Sequence, residues 1–277
     1  MESELYDRLS SKQLMVKHED VTKQFPQTSS FKIIQPEVIP FISYPYEWSF
    51  SQLKDAALTT LEIQETALKH NMTLKDASAY NIQFKDGKPI LIDSLSFEKY
   101  KPGSPWNAYC QFCKHFLAPL ALMHYRDIRM NKILSNFIDG IPLDLAASLL
   151  PAKTLFRPSI LMHIHLHSKS QQKYEHKNVS SKKLKTNLSK NSLFGIIDSL
   201  RSAILKLSWK AAGTEWADYY QGDSYTKSGF EDKVKIVSEY LQILQPKTVW
   251  DMGANDGYFS NAASKHASEV ISFDIDP

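Results

Sequence analysis

The chain has 277 residues, 43% of them hydrophobic and 23% charged, with a formal net charge of +3 at pH 7. That length suits one or two cored domains, and so small a charge does not by itself call for nucleic acid or an anionic membrane. Cys110 and Cys113 are the only cysteines, too few for a disulfide framework and suited to a reducing cytosol. No apolar run nears the roughly 20 residues that span a bilayer. The start, Met1-Glu-Ser-Glu-Leu5, has neither the basic nor the apolar region of a signal peptide. The expectation is a soluble, cytoplasmic protein without membrane or nucleic-acid partner.

In chain order, the first clear element is a helix. Ser49-x-x-Gln52 forms a capping box, and Leu53, Ala57, Leu61 and Leu68 carry an apolar stripe towards His70, with Asn71 as the stop. Then follows Leu74-Lys-Asp76-Ala-Ser-Ala-Tyr-Asn81. Ile82–Phe84 and Ile90–Ile92 flank Asp86-Gly87, a dipeptide favoured in tight hairpin turns, and the hairpin delivers Asp93. An Asp-x-x-x-x-Asn run followed by a hairpin and an Asp resembles the C-lobe of protein kinases and aminoglycoside kinases. The resemblance implies Asp76 as base, with Asn81 and Asp93 holding magnesium for phosphoryl transfer. Several features depart from that pattern: Ser94-Leu95 follows Asp93 in place of Phe-Gly, and neither a glycine-rich phosphate loop nor a Val-Ala-x-Lys strand precedes the segment. Ile39–Trp48 reads as a hinge, with too little chain before it for a complete N-lobe. In the alternative, Asp76 and Asn81 cap turns and Asp93 ends a strand, with no metal.

Further along, Trp106, Tyr109, Cys113, Phe116 and Leu120 fall near one helix face, so Cys110 and Cys113 read as helix-core residues; one pair makes a poor zinc site. His163-Ile-His165-Leu-His167 alternates as a strand would, and without a nearby carboxylate its imidazoles read as packing or surface groups. Residues 167–191 hold seven lysines against Glu175 alone. Such a segment has too few apolar groups to offset its ordering entropy. It reads as a flexible basic linker, with nucleic acid or lipid headgroups as the alternative partners of its charge.

The last block opens with a helical stripe at Phe194, Ile197, Leu200, Ile204 and Leu207. A second helix is predicted from Phe230 to Gln245, ended by Pro246. Thr248-Val-Trp250 reads as a buried-type strand running into Asp251-Met-Gly253-Ala-Asn255-Asp-Gly257. A helix from Tyr258 to His266 and a strand from Glu269 to Phe273 follow, ending at Asp274-Ile-Asp276. Strand, glycine turn, helix, strand and acid make the first half of a nucleotide-binding βαβ unit. Gly253 and Gly257 permit close backbone approach, Asn255 tolerates left-handed dihedrals, and Asp274 can accept from both ribose hydroxyls. Asp256 sits where a pyrophosphate would be repelled, which favours a cationic ligand.

These residues resemble the first motif of the class I S-adenosylmethionine-dependent methyltransferases, with Asn255 at the middle glycine. The resemblance implies that Asp251, Gly253, Asn255, Gly257 and Asp274 bind S-adenosylmethionine, and that Glu215–Tyr220, Tyr225 and Phe230 form a lead-in closing over it. Together with the first block, the chain resembles a group of bacterial two-part methyltransferases, some labelled nodulation proteins. The expected fold is an α+β kinase-like domain (1–166), the basic linker (167–191) and an incomplete α/β Rossmann-like methyltransferase domain (192–277). The expected parent activity is methyl transfer to an unidentified acceptor, with any general base beyond Pro277 and the chain as given a fragment, inactive alone. The alternatives are an ATP- and magnesium-dependent phosphotransferase, or a kinase-like scaffold without catalysis.

Overall fold

The computed structural model describes residues 4–27, 29–170, 188–210 and 226–275. It divides into two compact units, Met1–Trp209 and Lys210–Pro277. Both mix helices with small sheets.

The first unit is organised around one long helix, α2 (Phe50–Lys69). Ser49 caps it: its hydroxyl accepts from the Gln52 amide, and the Gln52 side chain accepts in return from the Ser49 amide. Asn71, at φ 57°, turns the chain out. Short α1 (Leu5–Ser11) precedes it, followed by the antiparallel pair β1 (His18–Asp20) and β2 (Ile34–Pro36). After α2 come β3 (Met72–Leu74), the hairpin β4 (Ile82–Lys85) and β5 (Lys88–Leu91), and β6 (Phe97–Lys99), which pairs antiparallel with β3. Asp86 and Gly87 both have positive φ, 51° and 72°, as a type I′ hairpin turn requires.

A helical run, α3 (109–125), follows, with a π-helical middle at Cys113–Leu117. Then come α4 (Leu143–Leu149) and α5 (158–170), itself π-helical over Leu161–Leu166. The His163–His167 run is therefore helical, where the alternating pattern suggested a strand. Three contacts, one buried and two partly buried, fix it: His163 Nδ1 meets the Tyr109 hydroxyl at 2.6 Å, His163 Nε2 meets the Ser199 hydroxyl at 2.9 Å, and His165 Nε2 meets the Thr154 hydroxyl at 2.8 Å.

Helix α6 spans Lys190–Lys206. Its buried Leu193, Ile197, Leu200 and Ile204 join the core of the first unit. Lys54 Nζ donates to the carbonyls of Leu205 and Leu207 at 3.1 and 2.7 Å, and Arg201 pairs with Glu65 at 2.5 Å. Amphipathic periodicity says that a face must be covered, not by which neighbour, and here the cover is α2. Of the predicted linker, 171–187 lies outside the described residues; 167–170 continues α5, and Leu188 bridges to Gly103.

Gln64 shows what holds the strands to α2. Fully buried, it donates to the Thr73 hydroxyl at 3.0 Å and accepts the Leu74 amide at 2.8 Å. Gln64→Ala should cost about 2–3 kcal/mol, because it strands a buried amide as well as opening space. Urea unfolding would measure this, and a loss under 1 kcal/mol would contradict the anchoring role.

The second unit holds α7 (Lys227–Leu244), β7 (Thr248–Met252), α8 (Tyr258–Ala263) and β8 (Glu269–Phe273). Thr226 caps α7, accepting the Gly229 amide at 3.2 Å, and Gln245 ends it at φ 40° ahead of Pro246. Strands β7 and β8 pair in parallel, Thr248 against Glu269 through Met252 against Phe273.

Candidate functional site

The turn between β7 and α8 brings the predicted residues of the second unit together. The amides of Gly253 and Ala254 both donate to the Phe273 carbonyl, at 2.8 and 2.9 Å, so the turn is stitched to the end of β8. Three of its residues sit in the left-handed region: Gly253 at φ 85°, Asn255 at 49° and Gly257 at 78°. No atom lies within 4 Å of where a Cβ would stand on Gly253 or Gly257. Backbone conformation and open space, rather than tight packing, select glycine there.

Carboxylates surround this turn. Asp274 Oδ2 accepts the Asn255 amide at 2.6 Å, which fixes the acid at the end of β8 against the loop after β7. Asp251 Oδ2 accepts from the Ser260 hydroxyl at 2.6 Å, and Ser260 in turn accepts from Ser272 at 2.7 Å, linking β7, α8 and β8. Asp256 Oδ1 accepts the Tyr258 amide at 3.2 Å. Between Thr248 and Ser264 there is no Lys or Arg. A phosphate ligand would thus meet three acids and no cation of the turn itself, the ammonium of Lys233 lying over the Phe259 ring at 4.8 Å, whereas a ligand with hydroxyls and a positive group would find acceptors. The residues present fit such a cationic nucleoside. Phe230, at the start of α7, packs edge-on to Tyr258 and Phe259, with centroids 4.7 and 5.8 Å away. Glu215–Tyr220, Tyr225 and Asp276 lie outside the described residues.

Alternate residues of β7 differ in exposure among the described residues. Val249 and Asp251 are half-buried, but Trp250 is 62% and Met252 71% exposed. Parallel sheets ordinarily have both faces covered.

In the first unit, the three residues of the kinase-like pattern are each half-buried and engaged locally. Asp76 Oδ1 accepts the Ser78 amide at 2.9 Å. Asp93 accepts the Leu95 amide at 2.8 Å through one oxygen and the Ser96 hydroxyl at 2.7 Å through the other. Asn81 donates to the same Ser96 oxygen at 3.1 Å. Asn81 and Asp93 thus converge on Ser96, while Asp76 closes its own turn. Among the described residues, no group of three or more His, Cys, Asp or Glu side chains could hold a metal ion.

No sequence pattern pointed to His115. It is fully buried in the π-helical part of α3, with neither ring nitrogen hydrogen-bonded. It meets Tyr80 edge-on at 6.1 Å, and burial holds its pKa down at about 4 against the opposing pull of Asp76 and Asp139. The two cysteines lie on the same helix, Cys113 fully buried and Cys110 half-buried, and burial pushes the Cys113 thiol far above its ordinary value.

No family model matches the chain, and no solved structure matches it. It is 34% identical over 262 residues to the nodulation protein NoeA of Rhizobium meliloti (strain 1021). The alignment covers 92% of this chain and 54% of that protein, so the chain spans about half the length of the curated relative it matches.

Proposed function

We propose that this chain is part of an S-adenosylmethionine-dependent methyltransferase, acting on an acceptor still to be identified. The observation that carries the reading is the Asp274 carboxylate bound to the Asn255 amide at 2.6 Å, at the end of a parallel β7–β8 pair. An acid at the end of the second strand, next to a glycine turn, is placed to accept ribose hydroxyls. The acid-rich turn, with no Lys or Arg between Thr248 and Ser264, favours a sulfonium and an ammonium over a pyrophosphate.

Asp251, Gly253, Asn255, Gly257 and Asp274 would hold the cofactor, which supplies an electrophilic methyl carbon. The chain's own contribution is positioning. Gly253 and Gly257 let the backbone come close, and Asp274 orients the ribose. Ser260 holds the Asp251 carboxylate in place. In this reading the second unit is Rossmann-like, with the parallel β7–β8 pair as part of its sheet.

Thermal stabilisation by S-adenosylhomocysteine is the test, applied to a form extended through the remaining length of the relative. The expected result is a clear rise in Tm, abolished by Asp274→Ala and kept by Asp93→Ala. A rise insensitive to Asp274→Ala would contradict the site.

The convergence of Asn81 and Asp93 on Ser96 favours one second reading, a kinase-like first unit that takes ATP and magnesium through Asp76, Asn81 and Asp93. Stabilisation by ATP only when magnesium is present, lost in Asp93→Ala, would support it. No response to either ligand would leave a scaffold.

A further inference from the structure

The overall charge of +3 hides a local asymmetry. From Leu145 to Ser170 there is no Asp or Glu, while Lys153, Arg157 and Lys169 are all exposed. The same stretch carries exposed large apolar side chains: Leu155, Phe156 (86% exposed), Met162 and Leu166. These are not scattered. Met162, Leu166 and Lys169 recur at helical spacing along the outer face of α5, while His163 and Ile164 point to the core. The 3-10 turn Ala152–Phe156 packs beside α5, clamped by the bond between the Thr154 hydroxyl and His165 Nε2. That clamp sets Leu155 and Phe156, with Lys153 and Arg157 on either side of them, next to the stripe.

We infer that this face of the first unit adsorbs to an anionic lipid surface, with Phe156, Met162 and Leu166 entering the headgroup–acyl boundary and Lys153, Arg157 and Lys169 meeting the headgroups. Peripheral binding of this kind combines buried apolar area with attraction to anionic lipid, and a lysine can lay its stem along the apolar layer while its ammonium stays in the headgroups. A partner protein would be expected to offer acids to these cations. Phe156, 86% exposed, and the apolar stripe on α5 suit a fluid surface that moulds around side chains. No membrane-crossing helix is needed, and among the described residues none is long and apolar enough to be one.

The test is co-sedimentation of the protein with phosphatidylcholine vesicles, with and without phosphatidylglycerol. Binding is expected only when phosphatidylglycerol is present, and it should weaken as salt is raised. Lys153→Gln with Arg157→Gln should reduce it about 25-fold, at about five-fold per cation. Phe156→Ser should reduce it about ten-fold or more, whereas Phe31→Ser, at an exposed position far along the chain, should not. All four residues are exposed, so the variants keep their fold, which an unchanged urea midpoint verifies. Binding that survives both patch variants would place the attraction in the lysines of 171–187 and overturn the proposal. So would capture of polyglutamate with no capture of vesicles, which would identify an acidic polypeptide as the partner.

Discussion

Gly140→Ala should lower stability by about 3 kcal/mol or more, enough to drop Tm by roughly 6–12 °C for a unit of this size. A Cβ at residue 140 would lie 2.7 Å from Lys114 Cβ, 2.8 Å from the Lys114 carbonyl carbon and 3.0 Å from His115 Cδ2. Backbone atoms cannot swing aside as a flexible side chain would. Gly140 also sits at φ 82°, which disfavours any L side chain. Its neighbours make the clash consequential: the Ile141 amide donates to the Lys114 carbonyl at 3.0 Å, tying this turn to the π-helical part of α3. Gly87→Ala is the control. Its φ is 72° but nothing lies within 4 Å of the added methyl, so only the conformational term of about 1 kcal/mol should appear. Equal losses at the two glycines, measured by thermal unfolding, would show that packing against Lys114 contributes nothing.

Acid should destabilise the first unit well before its carboxylates titrate. His115 and His163 are buried and neutral, each held at a pKa of about 4, with burial as the main cause. In the unfolded chain both return to about 6.5 and take up protons sooner. Their contribution is therefore complete above pH 6.5 and is lost as pH falls from 6.5 towards 4. Each can withdraw up to about 3 kcal/mol over that window. Urea midpoints measured from pH 7.5 down to 4 should fall steeply below 6.5; a flat profile would contradict the burial of both rings.

The two histidines should part company on mutation. His115 has no hydrogen-bond partner to lose, so His115→Leu should be neutral or slightly stabilising at pH 7 while flattening part of the acid decline. His163→Leu should cost about 1–3 kcal/mol at pH 7, because it takes from the half-buried Tyr109 hydroxyl its 2.6 Å partner.

What the sequence revealed and what it hid follow one physical division. Local rules were legible. The Ser49–Gln52 box, the left-handed stop at Asn71 and the Asp86-Gly87 turn are set by residues within a few positions of one another. The strand–turn–helix–strand course from Thr248 to Phe273 is of the same kind, since its glycines and Asn255 sit where positive φ is required. Non-local pairings were not legible. The stripe of α6 announced an amphipathic helix but not that α2 would cover it. The alternating histidines imitated a strand, because the Tyr109, Ser199 and Thr154 contacts that make them helical lie 54, 36 and 11 positions away. The π-helical segments and the orphaned ring of His115 left no pattern at all.

The central claim, a cofactor site on the turn between β7 and α8, is tested most directly by calorimetric titration of S-adenosylhomocysteine. Two proteins should be compared, this chain and a form extended through the remaining length of the relative. The account predicts saturable binding by the longer form, abolished by Asp274→Ala, and little or none by this chain, in which Trp250 and Met252 of β7 are exposed. Tight binding by this chain would contradict the incomplete domain, and no binding by a correctly folded longer form would contradict the site itself.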